Sequence, residues 1–195
     1  TGIPDVDAVQ FFTNAINTQT RGIDVILTHK FSLSDHDLGI TIAGNYSKTE
    51  VGGEIETTDE LGEGYENTLF DRAEIARIEE GTPDTKLNIT LDYSYGNFSA
   101  FIRNIRYGKV AMRNADPELS QYDQVYNGRW ITDVEVSYRL FDKLSIQAGA
   151  NNVLDIYPEK NKPALQSNGR FPYNTATTQF GFAGAFYYAG LKVNF

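Results

Sequence analysis

The amino-acid sequence predicts an all-β fold, and more narrowly a portion of an antiparallel transmembrane β-barrel with about eight meandering strands, short periplasmic turns and long extracellular loops. Three observations lead to this prediction. Segments of about ten residues alternate apolar with polar side chains, their connections are alternately short and long, and aromatic residues lie near the segment ends. Alternation alone also fits a soluble sheet with one face on a core, so the connections and segment lengths favour the membrane.

The composition excludes several classes of protein. Among 195 residues there are 12 Tyr, 12 Phe and 17 Gly, which favour strands and turns over helices. No run reaches the ~18 apolar residues of a membrane-spanning helix. Zero cysteines and 2 histidines provide no thiol nucleophile and too few ligands for a typical zinc site. A net charge of -9 without a basic stripe argues against nucleic acid as a partner.

The alternating segments follow one another along the chain. A weak one covers residues 9–16, and clearer ones cover 22–31, 38–47, 86–95, 97–108, 129–140, 144–153 and 186–195. In residues 86–95 all apolar and aromatic residues have odd numbers, which predicts a strand with one apolar face. Residues 97–108 are ambiguous, because Phe98 and Phe101 have opposite parity.

The connections indicate how the strands are arranged. Those written SLSDHD, GN and DK are short, whereas residues 47–85, 109–128 and 154–185 form long ones. Successive antiparallel strands place alternate connections at opposite ends of a sheet, so one end carries tight turns and the other carries long loops.

Two sets of side chains are expected to mark the barrel's inside and its membrane borders. Charged residues of the polar parity are predicted to point into the lumen, namely Asp24, Lys30, Asp92, Asp133, Glu135, Arg139 and Lys192. Aromatic residues near strand ends are expected to form girdles at the two membrane interfaces, namely Phe31, Tyr46, Tyr95, Tyr107, Trp130, Tyr138 and Tyr187.

The segment 50–84 is strongly acidic, with twelve acidic and two basic residues. Clustered carboxylates suit a hard cation such as calcium, but their spacing matches no calcium-loop template, so cation binding stays open. The stretch LFDRAEIARIEEGTPD predicts a short helix that ends at Gly81. Adjacent acids such as Glu79 and Glu80 point in different directions, so they are not expected to act as an acid/base pair. We predict no catalytic residues, no cofactor and no resident metal.

The last third of the chain contains the stretches GANNVLDIYPEKN, GRFPYN and FYYAGLKVNF. Together these stretches resemble the C-terminal end of TonB-dependent outer-membrane receptors. The matching positions are Asn151, Asn152, Val153, Leu154, Asp155, Tyr157, Pro158 and the terminal Phe195. The stretch NTQTRGIDVILTHKF is also similar to a strand start in that family, with Gly22 and Ile23 matching and Asp24 in place of the usual glutamate.

The resemblance implies both location and partners. Such receptors are barrels of about twenty-two strands in the bacterial outer membrane, filled by an N-terminal plug that binds TonB. Residues 1–195 are then expected to form the C-terminal part of the barrel, without the plug and the earlier strands. The expected partners are outer-membrane lipid, the plug and remaining strands of the same protein, TonB through that plug, and the barrel assembly machinery. Leu191, Val193 and Phe195 resemble the family's assembly signal.

The implied function is TonB-coupled import of a scarce nutrient, such as a ferric siderophore, haem or cobalamin, and not enzymatic catalysis. Ligand contacts are expected from aromatic and basic residues of the second and third long connections, namely Arg113, Tyr122, Tyr126, Arg129, Arg170, Phe171 and Tyr173. Two alternatives stay open: a complete eight-stranded outer-membrane barrel with a structural or adhesive role, and a soluble β-sandwich binding module. Barrel closure separates the first alternative from a receptor fragment, because only a complete barrel pairs its first and last strands.

Overall fold

The computed structural model describes residues 16–53, 70–166 and 168–193. These contain, in chain order, β1 (Asn17–Leu33), β2 (His36–Gly52), α1 (Arg72–Glu79), β3 (Thr85–Tyr95), β4 (Phe98–Tyr107), β5 (Val110–Met112), β6 (Gln124–Tyr126), β7 (Trp130–Phe141), β8 (Leu144–Asn151) and β9 (Phe186–Val193). Short 3-10 turns cover Pro117–Tyr122 and Pro163–Leu165. Seven strands form one antiparallel sheet in the order β1-β2-β3-β4-β7-β8-β9, and β5 and β6 form a separate hairpin.

The seven clearer sequence segments are all strands of the main sheet, which confirms the predicted meander. The weak segment 9–16 lies outside the described residues except for Ile16. Strands β1 and β2 have 17 residues each, longer than expected, because their ladder continues to the pair Asn17 and Gly52. The first long connection therefore begins after Gly52, and not at residue 47 as predicted. Beyond Tyr46, where pairing with β3 ends, β1 and β2 continue as a two-stranded ribbon.

The strand register gathers the apolar residues on one face, which we call the outward face. Ile42 lies opposite both Leu27 and Ile89. In the neighbouring row of the same face, Ile102 lies opposite both Leu91 and Val134. We call the opposite face the inner face. The structure resolves the ambiguity in residues 97–108, because Phe98 and Ile102 share the outward face with these residues whereas Phe101 and Ile105 lie on the inner face.

Charge is distributed very unevenly between the two faces. The seven charged residues that the sequence assigns to the lumen all have inner-face positions in the register. In the described strands of the main sheet, the outward face carries Asp, Glu, Lys or Arg only at Arg21, Lys48, Glu50 and Arg106. All four lie near the end with the long connections, so the rest of the outward face has no such charge. This is the pattern expected for a surface in contact with hydrocarbon.

Long connections cover one end of the inner face. Ile105 and Ile131 lie opposite each other and are 9% and 8% exposed. The ring of Tyr107 packs against Phe180, with the ring centres 5.6 Å apart. Tyr107 therefore lies on the inner face, and its predicted place in a membrane girdle is wrong. The other six predicted girdle residues lie on the outward face.

The main sheet is open. Within the described residues, β1 and β9 each pair with a neighbour along one edge only, and they do not pair with each other. No second sheet of the described residues packs on the outward face, where Val25, Val136 and Leu191 are exposed. The architecture confirms a partial barrel and differs from both a closed eight-stranded barrel and a sandwich. None of the helices in the described ranges has the length and hydropathy that crossing a bilayer requires.

A charge introduced on the outward face tests its contact with lipid. Val136 in β7 is 48% exposed, whereas the neighbouring Ser137 lies on the inner face, 2.9 Å from the hydroxyl of Ser99. Arginine at a lipid-facing position near the bilayer midplane costs about 2–4 kcal/mol. We expect Val136→Arg to lower the free energy of unfolding of the full-length barrel in lipid vesicles by that amount, as measured by denaturant titration.

Ser137→Arg is the matched control for this substitution. It introduces the same side chain one residue further along β7, on the inner face, and we expect it to cost less than about 1 kcal/mol. Equal losses of stability in the two variants would contradict the assignment of the two faces.

Candidate ligand-binding loops

Three long connections lie at one end of the main sheet. We call them the first loop (53–84), the second loop (108–129) and the third loop (152–185). The first contains α1, the second contains the β5–β6 hairpin, and the third is mostly irregular. All three share one end because each joins two antiparallel strands in the same direction.

Helix α1 attaches the first loop to the sheet. It begins after Asp71, whose carboxylate accepts a hydrogen bond from the backbone N–H of Glu74 at 2.9 Å and caps the helix. Its last residue is Glu79, close to the predicted end at Gly81. The Glu79 carboxylate accepts from the backbone N–H of Val51 at 2.8 Å. The predicted helix is confirmed, and it bonds to the β1–β2 ribbon.

Asp123 is the polar centre that joins the loops. Its carboxylate accepts from Arg72 Nη1 at 2.9 Å and from the backbone N–H of Asn114 at 2.8 Å. Arg113 lies 3.6 Å from the same carboxylate and also donates to Glu80 at 3.0 Å. These contacts join residues of the first loop to residues of the second.

The cluster also holds charge in a fixed arrangement. The hydrogen bond from Arg72 lowers the pKa of Asp123 to about 2. The same bond raises the pKa of Arg72, and the hydrogen bond to Glu80 raises the pKa of Arg113. Each shift stabilises the charged form of its group, so Asp123, Arg72 and Arg113 stay ionised at neutral pH.

Three side chains attach the third loop to the second. Gln124 donates from Nε2 to the carbonyl of Lys160 and accepts from the backbone N–H of Lys162, both at 2.8 Å. Tyr126, which is 2% exposed, donates from its hydroxyl to Asn161 at 2.6 Å. Gln179 reaches back from the third loop and donates to the carbonyl of Tyr126 at 3.0 Å. The second loop is therefore packed between the other two.

The Asn151–Asp155 stretch closes the third loop onto the sheet. Asn152 has φ 51, a left-handed conformation that asparagine tolerates better than most residues. Its side chain accepts from the N–H of Ile156 at 2.9 Å and donates to the same residue's carbonyl at 2.7 Å. Its backbone N–H donates to the inner-face carboxylate of Asp133 at 2.8 Å. Asp155 accepts from the N–H of Ala185 at 2.9 Å, which joins the loop's two ends.

The seven predicted ligand-contact residues fall into two groups. Arg113 and Tyr126 have the internal contacts described above, Tyr173 stacks between Tyr157 and Phe182 with ring centres 6.0 and 5.7 Å away, and Tyr122 and Arg129 are half-buried. Arg170 and Phe171 are exposed. Ligand contact stays a prediction for all seven, and the structure gives Arg113 and Tyr126 a clear structural role as well.

The tip of the third loop presents Arg170 and Phe171 to the surroundings. Phe171 is 67% exposed and has φ 56, and the preceding Asn168 and Gly169 have φ 52 and φ 75. A left-handed phenylalanine is uncommon and costs energy that its neighbours have to supply. The carbonyl of Phe171 accepts from the side-chain amide of Asn161 at 3.0 Å, which holds this conformation. The tip combines an aromatic face with a cation.

Sequence reasoning missed several residues of the loop assembly, namely Arg72, Asp123, Gln124, Asn161 and Gln179. Their partners are far away in the chain, as with Arg72 and Asp123, which are 51 positions apart. No local pattern identifies such pairs. Among the described residues no group of three or more His, Cys, Asp or Glu side chains is arranged to hold a metal ion. Residues 54–69 of the acidic segment lie outside the described ranges, so its cation binding stays open.

An open antiparallel sheet with an almost charge-free outward face and long loops at one end defines a portion of an outer-membrane β-barrel. The family model described as TonB dependent receptor-like, beta-barrel matches residues 1–153, and the chain belongs to this family. Members of the family are transporters and not enzymes. A search of curated protein sequences found no match.

Three solved structures resemble the chain. The FpvAI complex with a pyocin has a TM-score of 0.56 at 14% identity, covering 91% of this chain and 19% of that one. A mutant ferric enterobactin receptor, PfeA of Pseudomonas aeruginosa, has a TM-score of 0.54 at 19% identity, and the match covers 90% of this chain and 22% of that one. The outer membrane transporter YddB of Escherichia coli has a TM-score of 0.53 at 14% identity, and the match covers 92% of this chain and 25% of that one. These identities show the shared fold, and the chain spans between 19% and 25% of each structure.

Replacing Asp123 tests its role in joining the loops. Asp123→Asn removes the charge that both arginines face, so we expect the loops of the full-length protein to open more often. Arg72 is partly exposed, so the effect is moderate, and we expect limited proteolysis of the loops to be about three- to tenfold faster. Glu118→Gln, at an exposed site in the same loop, serves as the control and leaves the rate unchanged. Unchanged cleavage of the Asp123 variant would contradict this role.

The pH dependence of loop opening follows from the same cluster. The pKa of Asp123 is about 2 in the folded protein and about 3.9 in an unfolded chain. The stabilisation of the joined loops by the ionised Asp123 carboxylate is therefore complete above about pH 4, and it is lost as the pH falls towards about 2. Hydrogen exchange of the second loop in the native protein should increase across this window. The Asp123→Asn variant should lack this step, and a step of equal size in both proteins would contradict the assignment.

Proposed function

We propose that residues 1–195 form the C-terminal part of the barrel of a TonB-coupled transporter that imports a scarce nutrient across a bacterial outer membrane. The observation that carries this proposal is the open seven-stranded sheet with a nearly charge-free outward face and three joined loops at one end. Family membership supports the same function. In this proposal the chain contributes barrel wall and outer loops, and it performs no bond-making chemistry.

The proposed mechanism divides the work between this chain and the rest of a longer protein. The outer loops capture the ligand and hold it over the lumen. The plug, supplied by another part of the protein, then rearranges when TonB pulls on it. The inner face, with Asp92, Glu135 and other charged residues, provides the polar wall along which the plug moves.

The proposed ligand is an anionic, aromatic ferric siderophore, with haem and cobalamin as the other candidates. The loop tip supports this choice because Arg170 and Phe171 offer a cation and an exposed ring. Below the tip, Tyr173 stacks between Tyr157 and Phe182. Aromatic and arginine side chains dominate the energy of recognition surfaces and suit planar anionic ligands. Ferric enterobactin is the ligand named for one of the similar structures.

We also propose that β9 is the strand read by the barrel assembly machinery. Leu191 is 74% exposed and Val193 is 51% exposed, and β9 pairs with β8 along one edge only within the described residues. A free edge with exposed apolar side chains is a template for strand addition. Phe195, the third residue of the predicted signal, lies outside the described residues.

Growth under iron limitation tests the proposed function. We expect deletion of the full-length gene to abolish growth on one ferric siderophore as sole iron source, and loss of TonB to have the same effect. Normal uptake of every siderophore, haem and cobalamin tested would contradict the proposal. The double variant Arg170→Ala with Phe171→Ala should bind the siderophore about tenfold more weakly, which corresponds to ~1.4 kcal/mol. Glu118→Ala is the matched loop control, and equal affinities would rule out the tip as the binding site.

A further inference from the structure

The tripeptide Asn-Gly-Arg occurs twice in the chain, and each copy is followed by an aromatic residue. One copy begins at Asn127 in the second loop, and the other begins at Asn168 at the tip of the third loop. We call Asn127 with Gly128 the second-loop pair, and Asn168 with Gly169 the tip pair. An asparagine before glycine loses its side-chain amide more readily than one before other residues, because glycine has no side chain to hinder ring closure. Since the local sequences match, a difference in reactivity between the two pairs comes from the fold.

Contacts on both sides hold the second-loop pair in place. The backbone N–H and the side-chain amide of Asn127 both donate to Glu159 Oε2, at 2.9 and 3.0 Å. Gly128 is half-buried, and a Cβ atom placed on it would overlap the guanidinium of Arg106 and the carbonyl oxygen of Tyr107. The side chain of Asn127 therefore has to leave a carboxylate, and the chain around Gly128 has to shift, before the two residues can react with each other.

The tip pair has neither restraint. Asn168 and Gly169 are both exposed, and among the described residues no heavy atom outside the adjacent chain lies within 4 Å of the place where a Cβ of Gly169 would stand. The side-chain hydrogen bonds of this part of the third loop come from Asn161 and Gln166, and none within the described residues involves Asn168. The φ values of 52 and 75 are typical of the central residues of a type I′ turn, for which Asn-Gly is preferred.

We propose that the tip pair is a site of spontaneous deamidation, and that the contacts of the second-loop pair protect Asn127 from the same reaction. The backbone nitrogen of Gly169 loses its proton to a base in the solvent and attacks Cγ of Asn168. A bond forms between these two atoms, the bond from Cγ to Nδ2 breaks, and the amide nitrogen takes up a proton and leaves as ammonia. The product is a cyclic succinimide in the main chain.

Hydrolysis of the succinimide completes the modification. Water adds to one of the ring carbonyls, and the bond from that carbon to the Gly169 nitrogen breaks. Opening at Cγ gives aspartate with an ordinary main chain, and opening at the main-chain carbonyl of residue 168 gives isoaspartate, whose main chain runs through the side chain. Either product carries a carboxylate where Asn168 had a neutral amide, and each conversion consumes a water molecule and releases ammonia.

The new carboxylate changes the charge of the loop tip. It lies two residues before Arg170, which is the only charged residue in the stretch 168–171. The net charge of this stretch therefore falls from +1 to zero when Asn168 is converted. One consequence rests on the proposed function: the aged protein attracts an anionic siderophore less strongly than the newly made protein does.

Deamidation at the two pairs is measured in the same sample. Full-length protein in detergent is kept at mildly alkaline pH for several weeks, and peptide mapping by mass spectrometry counts aspartate and isoaspartate at residues 127 and 168. Asn127 has to break a hydrogen bond to a carboxylate before it reacts, so we expect Asn168 to react at least about tenfold faster. Unfolding in urea removes these contacts, and there the two rates should be nearly equal.

Two variants test the physical cause of the difference. Glu159→Ala removes the carboxylate that holds Asn127, so residue 127 should react several-fold faster while the rate at Asn168 stays unchanged. Asn168→Gln should show no modification at residue 168 in the same period, because glutamine has to form a larger ring.

The effect on recognition is measured with the ferric siderophore identified by the growth test. Asn168→Asp carries the charge of the product, and we expect it to bind about two- to fivefold more weakly than fresh native protein. Native protein should lose affinity during the incubation, whereas Asn168→Gln should keep the affinity that it had at the start.

Several results would overturn the assignment. Equal rates at the two pairs in the folded protein, or no reaction at Asn168, would contradict the proposed site. Native affinity of the Asn168→Asp variant would contradict the effect of the new charge. Deamidation at Asn168 in a protein that takes up none of the nutrients tested contradicts only the proposed function, whereas uptake without deamidation contradicts only this inference.

Discussion

The fold depends on one constraint: each backbone N–H and C=O group in hydrocarbon has to bond to a neighbouring strand, since no water is present to replace that bond. Antiparallel ladders across seven strands, with one register shift between Arg139 and Phe141, meet this constraint in the described sheet except at the outer edges of β1 and β9. The fixed ladders then impose the period of two on the side chains. A register shift of one residue in β3 or β7 would turn the charged side chains of Asp92 or Glu135 towards lipid. The register of the ladders therefore determines both which side chains face lipid and at which end of the sheet the loops lie.

The constraint does not apply at the end of the sheet that carries the long loops, so this end can be used for recognition. Beyond the apolar surface, backbone groups can bond to water or to side chains, so the chain forms irregular loops held by polar contacts. Asp123, Gln124 and Gln179 join three loops that are far apart in sequence. Their contacts fix the framework, while the tip at Arg170 and Phe171 stays exposed. Binding loops on a rigid barrel thus need few buried apolar residues.

The sequence predicted the strands of the main sheet well because alternation is a local pattern that most of them follow; β4, with Phe98 and Phe101 on opposite faces, is the exception. It predicted helix α1 from a similarly local signal, the stretch that ends near Gly81. It failed at two places. Tyr107 lies on the inner face, where it pairs with Lys86 and packs against Phe180 of the third loop. Strand β2 continues past residue 47 because β1 pairs with it as far as Gly52. The loop cluster around Asp123 was invisible because its contacts join residues that are far apart in the chain. Similarly, nothing local distinguishes exposed Arg170 from Arg113, which bonds to Glu80.

Alternating lipid contact along β7 tests the central claim most directly. The chain has no cysteine, so single cysteines at Val134, Glu135, Val136 and Ser137 can each carry a spin label in the full-length protein in lipid bilayers. Collision with oxygen, which concentrates in hydrocarbon, is then compared with collision with a water-soluble nickel complex. The account predicts labels at Val134 and Val136 that favour oxygen, and labels at Glu135 and Ser137 that do not. Equal exposure of all four labels to the nickel complex would contradict a membrane-facing outward surface.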